Sequence, residues 1–530
     1  MSVVGEEFII GTSDFDEIIE KNALFVDKTL LIKEFIEGSA EVVNILRPHR
    51  FGKSTNLSML RSFLSIGSDP NRFQRYLIFK EEKFMDQHCG KYPVVFLDLK
   101  DIKGDNWDEM LCKISLYVGK LVNTFSTVLN SKRSHSDQLD FDAFTSLTAD
   151  KGLLTTSLSF LIKQLCKIYQ RRVIVLIDEY DSPLNNAFQK GFYDNASSFF
   201  TTFFSSALKG NSALEKACLV GVVGIGSGPD LTGLNNVVFY NIAREKYSTF
   251  FGFTTEEIRF FISDEKTLDE VLNWYSGYWI GSKQLLNPWS FLLWLKKKEF
   301  KSHWVEMANI ENLFTFLHGH KQLFIEILHI VFSGDPLDVS GLRSVVDYSK
   351  NAWGRKDGIL HFLVHAGYLT YRKGVNQRGE VFIPNNELHL LWKVDIFPFI
   401  KKEMNSEFIL PLQKAFTAKT FCATALQNLM RNLVEYPSFQ NTTSEINYQK
   451  FFYCLFLGVL QDKESVQVES NKENGYDIKL DFLNLKRIFI FEFKKSENEA
   501  SLEREAKKAL EQIIEKEHYH SFTNRECILI

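Results

Sequence analysis

Apolar residues follow two different rhythms along this chain. In the first half, short unbroken apolar runs alternate with stretches of helical spacing. The runs are "VVNIL" (42–46), "YPVVFLDL" (92–99), "VIVLIDEYD" (173–181) and "ACLVGVVGI" (217–225). Short β-branched runs with helices between them predict a mostly parallel sheet covered on both faces. From about residue 255 the spacing becomes helical, as in "TTEEIRFFI", "TLDEVLNWYSGYWI" and "NPWSFLLWLKKKEF". Residues 354–392 read as a helix, a strand "YLTY", a turn rich in Gly, Asn and Arg, a strand "EVFIP" and a helix start. That order is expected of a winged-helix-like unit. From about 405 a last helical segment leads into a small αβββαβ pattern ending at Ile530. The expected fold class is α/β in three parts: 1–254 with the parallel sheet, 255–395 helical and winged-helix-like, and 405–530.

Composition narrows this little. The 530 residues are 45% hydrophobic and 24% charged, with net charge −4. A pI near 6.3 gives no global attraction to nucleic acid, so any such binding needs a local patch. The 48 Phe fall largely in helix-like runs such as "SSFFTTFFSSALKG", which reads as core packing. Seven cysteines, with no C-x-x-C pair, argue against a disulfide framework and a zinc ribbon. The twelve histidines form no H-E-x-x-H set. The first thirty residues lack a signal-peptide pattern, and no uncharged apolar run reaches the ~18–20 residues of a membrane span. The expectation is an intracellular protein, cytoplasmic or nuclear, without a membrane partner.

Two stretches carry chemistry. In "NILRPHRFGKSTNLSMLRSFL" (44–64) a buried strand feeds a loop and then a helix. The loop ends as a P-loop does, Gly52-Lys53-Ser54-Thr55, but has Arg47 where G-x-x-x-x-G-K-[S/T] places its first glycine. The opening turn must then form without a glycine there to take positive φ. Gly52 lets backbone approach a phosphate, Lys53 reaches the β/γ-phosphates, the Ser54 hydroxyl holds Mg²⁺, and Arg50 adds a charge for phosphate or a neighbouring subunit. "VIVLIDEYD" ends in Asp178-Glu179, as a Walker B strand does. Asp178 would bind Mg²⁺ and Glu179 would orient or deprotonate the attacking water. ATP is the expected ligand, with Arg50, Gly52, Lys53, Ser54, Thr55 and Asp178 around it.

In "YDIKLDFLNLKRIFIFEFKKS" (476–496), Asp477 opens one strand, and Glu492 and Lys494 share a face of the next. Two carboxylates suit a hard cation, Mg²⁺ or Mn²⁺, and the ammonium suits water positioning or leaving-group charge. Glu492 stands in an apolar run, which is costly unless the carboxylate is paired or metal-bound. Glu469 and Asp481 are further candidate acids. From Asp462 to Glu517 there are 14 acidic and 11 basic residues, whereas a DNA-gripping surface favours a basic surplus.

These motifs resemble the AAA-ATPase-like proteins, P-loop ATPases often fused to a PD-(D/E)xK nuclease-like C-terminal domain. "FVDKTLLIKEFI" (25–36), "RPHRFGKS" (47–54), "VIVLIDEYDSPL" (173–184), "TGLNN" (232–236), "FFGFTTEEI" (250–258), "WYSGYWI" (274–280), "LNPWSFL" (286–292), "HAGYLTY" (365–371) and "IPNNEL" (383–388) are similar to family blocks. Gln512 falls where the family often has A-x-x-A-L-x-Q-I. The resemblance makes the missing glycine a family trait and implies a restriction-endonuclease-like C-terminal fold.

The chain departs from the family at Val220 and Ser227, where Thr and a basic residue are usual, and at Tyr476, where Arg is usual. Valine has no hydroxyl to sense a γ-phosphate. The expected function is an ATPase coupled to a metal-dependent nuclease acting on DNA or RNA. Catalysis would use Glu179, Asp477, Glu492 and Lys494. Metal would be held by Ser54 with Asp178, and by Asp477 with Glu492. Association into a homo-oligomer, with Arg244 or Arg50 reaching a neighbouring site, belongs to the same expectation. The alternative is a nucleotide-gated interaction protein with a degenerate ATPase and an inactive pseudo-nuclease domain.

Overall fold

The structure is a computed structural model that describes residues 3–5, 11–129, 134–224, 236–303, 336–339, 341–342, 356–374, 378–396, 410–418, 465–471, 476–494, 501–515 and 525–530. It also describes 330–331, 423–424, 426–427, 449, 452–453, 455–457, 460 and 496. Ser227 and most of "TGLNN" lie outside these residues. The chain forms two compact units, Met1–Ala308 with Asp338–Leu388, and Asn309–Leu337 with His389–Ile530.

The first unit is built on five parallel strands: β1 (Val42–Leu46), β2 (Val94–Asp98), β3 (Val173–Asp178), β4 (Leu214–Gly221) and β5 (Val237–Tyr240). Their order across the sheet is β2-β3-β4-β1-β5. All five residues of β1 and all six of β3 are buried, as expected for central strands covered on both faces. The apolar run 217–225 is therefore a strand, but it starts earlier and stops at Gly221.

Helices α1 (Lys53–Leu64), α2 (Lys151–Tyr169) and α3 (Tyr193–Leu208) cover the sheet. The Phe-rich run lies on α3. Phe199, Phe200, Phe203 and Phe204 recur at i, i+1, i+4 and i+5, one helical face, and all four are buried in the main core. Asp150 caps α2 by accepting from the Leu153 amide at 2.7 Å.

Beyond residue 254, α4 (Glu265–Tyr275), the hairpin β6 (Tyr278–Ile280) and β7 (Lys283–Leu285), and α5 (Pro288–Lys297) gather around an apolar cluster that includes Tyr275, Phe291 and Trp294. Asn287 caps α5 ahead of Pro288, whose missing N–H costs nothing at the first helical position. A buried ion pair, Lys28 with Glu257, ties the start of the chain to this region. The winged-helix order also appears: α6 (Lys356–Ala366), then antiparallel β9 (Thr370–Lys373) and β10 (Gly379–Phe382), then α7 (Asn386–Leu391). A third short strand, β8 (Leu337–Val339), joins this sheet beside β10.

The second unit carries a four-stranded sheet in the order β11 (Val466–Asn471), β12 (Tyr476–Phe482), β13 (Arg487–Phe491) and β14 (Glu526–Leu529). The first three strands run antiparallel, and β14 lies parallel to β13. A parallel neighbour requires a crossover, and α8 (Leu502–Glu515) falls between them in the chain. This is the βββαβ part of the expected pattern; much of the helix expected at 448–460 lies outside the described residues.

Candidate nucleotide and metal sites

β1 and α1 are joined by residues 47–52, and this loop does not open as the P-loop pattern does. Arg47 is fully buried. Its Nη1 donates to the carbonyls of Leu46 and Tyr240, both at 2.8 Å, and its Nη2 to the Tyr247 carbonyl at 3.1 Å. The guanidinium also lies over the Phe251 ring, 5.4 Å from its centroid. Burial disfavours its charged form and pulls its pKa down to about 9. Arg47 is thus a strut from the base of the loop to the segment after β5. The positive-φ turn forms later in the loop, at Arg50 (φ 68°) and Gly52 (φ 78°). A side chain on Gly52 would meet nothing within 4 Å, so glycine serves there for its backbone angle, beside open space.

Lys53 begins α1 and is buried, and its ammonium donates to the carbonyls of Arg47 (3.2 Å) and Pro48 (3.0 Å). Asp178 ends β3 and is buried at 3% exposure. Its Oδ1 accepts from the Glu179 amide at 2.9 Å. Burial pushes its pKa up to about 6, with the Glu179 and Asp98 charges acting the same way. The Ser54 hydroxyl, as a hydrogen-bonding neighbour, and the Lys53 charge pull it down. The fold therefore brings Lys53, Ser54, Asp178 and Glu179 together at the carboxyl ends of β1 and β3. Thr55 follows on α1, half-buried. Glu179 takes the left-handed conformation (φ 49°), a strain expected at functional turns.

A buried carboxylate whose charge burial disfavours, beside a hydroxyl, is a hard-oxygen donor pair short of positive charge. That set fits a Mg²⁺ ion held by Ser54 and Asp178.

Asp181 has a role the sequence reading missed. It is buried, and its Oδ2 accepts from the amides of Val222 (3.0 Å) and Val223 (2.9 Å). The Tyr180 hydroxyl donates to the Val223 carbonyl at 2.9 Å. The acidic turn is thereby pinned to the end of β4, past the buried Val220. A Cβ on Gly221 would lie 2.6 Å from both Asp181 Oδ1 and Tyr180 Cε1, so only glycine fits. The visible signal was Asp181 itself, a third acidic residue in the turn Asp178-Glu179-Tyr180-Asp181 just past the apolar strand.

The helical region beyond 254 touches the loop at three consecutive residues. The Asn287 Nδ2 donates to the His49 carbonyl at 3.4 Å. The Arg50 guanidinium lies over the Trp289 ring, 4.6 Å from its centroid. Phe51 meets Tyr278 edge-on with ring centroids 5.0 Å apart. Arg244, the other arginine expected to reach a neighbouring site, is exposed.

In the second unit, β12 and β13 pair with Ile478 opposite Phe491, which sets Asp477 next to Glu492. Glu492 and Lys494 lie just past the last strand residue, Phe491, rather than within the strand. They still face each other: Glu492 Oε1 accepts from Lys494 Nζ at 3.0 Å and from Gln512 Nε2 on α8. Asp477 Oδ2 accepts from the Phe493 amide at 2.8 Å. Both carboxylates are buried. Glu469 and Asp481 are engaged elsewhere, with Lys479 and Arg525. Among the described residues, no group of three or more His, Cys, Asp and Glu gathers into a metal cluster. Two buried carboxylates remain a hard-donor pair that suits an ion completing its shell with water or phosphate oxygens.

A family model described as predicted AAA-ATPase matches residues 9–228, and one for the PD-(D/E)XK nuclease superfamily matches residues 443–530. The chain thus carries an AAA-ATPase-like region and, after it, a PD-(D/E)XK nuclease-like region. Among curated proteins, it is 25% identical over 401 residues to an uncharacterized protein in the vnfD 5' region of Azotobacter chroococcum mcd 1. That match covers 72% of this chain and 67% of the relative. Among solved structures, it is similar to a Walker-type ATPase of Pyrococcus abyssi at 13% identity and a TM-score of 0.37. The match covers 69% of this chain and 95% of that one. The five-stranded parallel sheet, with a helix starting at Lys53 beyond its strand at 42–46, fits a P-loop NTPase, and the fold is α/β overall. None of its described helices is long and apolar enough to cross a membrane.

Proposed function

We propose that this protein binds and hydrolyses ATP at the 47–55 loop and couples the nucleotide state to a metal-dependent nuclease domain. The carrying observation is the convergence of Lys53, Ser54, Asp178 and Glu179 at one end of the parallel sheet. Lys53 leaves the Arg47 and Pro48 carbonyls to bind the β/γ-phosphates. Arg50 and the amides around Gly52 and Thr55 line the same anion. Ser54 and Asp178 hold Mg²⁺, which neutralises phosphate charge when bound. The Glu179 carboxylate accepts the proton of the attacking water. Residues 1–254 form the ATPase part, 255–395 the lid and winged-helix-like part, and 405–530 the nuclease-like part of an intracellular protein.

In that last part Asp477 and Glu492 hold Mg²⁺ or Mn²⁺, which supplies Lewis acidity towards a phosphodiester of DNA or RNA. Lys494 sits against Glu492, where its ammonium can stabilise the leaving oxygen. The second reading, a nucleotide-gated interaction protein, draws support from Glu492, whose Oε1 already accepts from two donors.

ATP turnover and cleavage of supercoiled DNA and single-stranded RNA, each with Mg²⁺ and Mn²⁺, separate the two. Turnover lost in Lys53→Ala and cleavage lost in Glu492→Ala support the enzyme. Tight ATP binding with neither activity supports the switch.

A further inference from the structure

Arg50 sits at the tip of the phosphate loop in a conformation that L-residues rarely adopt, φ 68°. Its side chain is exposed at the loop surface yet does not point freely into solvent. The guanidinium is stacked on Trp289, the second residue of α5, with 4.6 Å between Cζ and the ring centroid. Trp289 is itself half-buried, and its backbone amide is fixed by the Asn287 carboxamide (2.9 Å), whose Nδ2 holds the His49 carbonyl.

The geometry matters because of how a guanidinium is built. Stacking on an aromatic ring uses its flat face and leaves the five N–H donors around its edge available. No hydrogen bond or ion pair to another described residue engages these donors, and the acid that bears on Arg50 through its charge is Glu179. A guanidinium held over a ring, its donors engaged by no described residue, three residues before the phosphate-seeking lysine, is prepared to grip an oxyanion with two parallel bonds. Holding it there in advance removes the rotamer entropy that a free arginine would lose on binding.

We propose that Trp289 is a positioning residue for the nucleotide: its ring holds Arg50 ready for the terminal phosphates of ATP, so the α5 region completes the phosphate site. This rests on the ATP reading of the loop. It extends that reading to a residue outside the loop and gives the lid a direct stake in nucleotide occupancy. In this arrangement Arg50 acts on the nucleotide of its own chain.

The test is calorimetric titration of the full chain with ATP and Mg²⁺, comparing Trp289→Ala, Trp289→Phe, Arg50→Ala and the Trp289→Ala/Arg50→Ala double variant. Trp289→Ala and Arg50→Ala should each weaken binding by about tenfold. The double variant should be no weaker than Arg50→Ala alone, and Trp289→Phe, which keeps a ring face, should recover most of the loss. Melting curves of the four variants report whether the fold is intact, and Trp289→Leu, which fills the space without a ring face and should bind as weakly as Arg50→Ala, keeps the test valid if Trp289→Ala does not fold. Wild-type binding that Lys53→Ala abolishes but both Trp289 variants leave unchanged overturns the proposal alone. Additive losses in the double variant overturn it as well. A wild-type chain that binds no nucleotide overturns the ATP reading, and the proposal falls with it.

Discussion

The Lys53 ammonium donates to the Pro48 carbonyl at 3.0 Å, folded back onto the loop it belongs to. A buried ammonium must have acceptors, and the loop supplies them until a stronger anion arrives. Exchanging two neutral carbonyls for triphosphate oxygens is favourable because charge-assisted bonds are about twice as strong. Lys53→Ala is therefore expected to lower ATP affinity by about 100-fold. ATP with Mg²⁺ should raise the melting temperature of the wild-type chain and leave that of Lys53→Ala unmoved. An equal rise in both would remove Lys53 from the site.

Asp178 sets a conflict between stability and function. Its folded pKa is about 6, above the ordinary aspartate value near 4. The folded state therefore binds more protons than the unfolded chain between about pH 4 and 6, and stability falls as pH rises through that window. Above it the full cost stands, on the order of 3 kcal/mol for a group this buried. Asp178→Asn removes the charge and keeps the shape. It should stabilise the ligand-free protein at pH 7.5, with little change at pH 4, as read by denaturant titration. The same substitution should abolish Mg²⁺-dependent ATP binding, because a cation needs the carboxylate. Loss of stability at neutral pH in Asp178→Asn would contradict this account.

Gly221 tests the clamp between the acidic turn and β4. A methyl group there would lie 2.6 Å from Asp181 Oδ1, an atom whose carboxylate is pinned by two backbone amides, and as close to the buried Tyr180 ring. Neither neighbour is a free end that can swing away. Gly221→Ala should destabilise the first unit by about 2 kcal/mol and move Asp178 and Glu179 with the turn. ATP turnover should fall more steeply than ATP affinity, since Lys53 is untouched. Unchanged turnover would mean that the clamp does not set the geometry of the acidic pair.

The strands were legible because buried parallel strands leave unbroken apolar runs, and β1 and β3 have no exposed residue to interrupt them. Lys53, Asp178, Asp477 and Glu492 were legible because their chemistry is odd for their surroundings. Arg47 was not readable as a strut, since its partners are carbonyls of Leu46, Tyr240 and Tyr247, and carbonyls have no residue signature. Asp181 binds backbone amides in the same anonymous way. Trp289 and Arg50 are 239 positions apart, and only the fold reveals that they touch. The order of strands across the sheet was equally hidden, because periodicity carries no information about neighbours.

The winged-helix-like unit yields a prediction against its usual use. A helix that reads DNA must present an exposed face to the major groove. On α6, Ile359, Leu360, His361, Leu363, Val364, His365 and Ala366 are all buried, which leaves no such face between Ile359 and Ala366. Its hairpin is also engaged: the Thr370 hydroxyl accepts from the Trp279 amide at 2.9 Å, and Arg372 pairs with Glu380. The unit is built as a brace. Lys373→Ala with Arg378→Ala, both exposed positions, should change any DNA or RNA affinity of the full chain by less than about twofold. A drop of tenfold or more in a binding titration at fixed salt would restore the wing as a nucleic-acid contact.

The carboxylate of Glu492 separates a working metal site from a docking surface. Its Oε1 accepts from Lys494 and Gln512, so removing the charge leaves two donors facing a neutral amide. In Glu492→Gln, metal affinity should collapse, because a neutral carboxamide replaces one of only two anionic oxygen donors. Mn²⁺ titrated into the wild-type chain should give a binding isotherm with a component that both Glu492→Gln and Asp477→Asn eliminate. Gln512→Ala should keep that component and alter only its affinity, because Gln512 orients the carboxylate without replacing it. Repeating the titration without nucleotide in an Asp178→Asn background removes the first site's carboxylate and confines the change to the second. If Glu492→Gln binds Mn²⁺ as the wild type does, Asp477 and Glu492 are an internal polar pair, and the nuclease-like domain serves interaction.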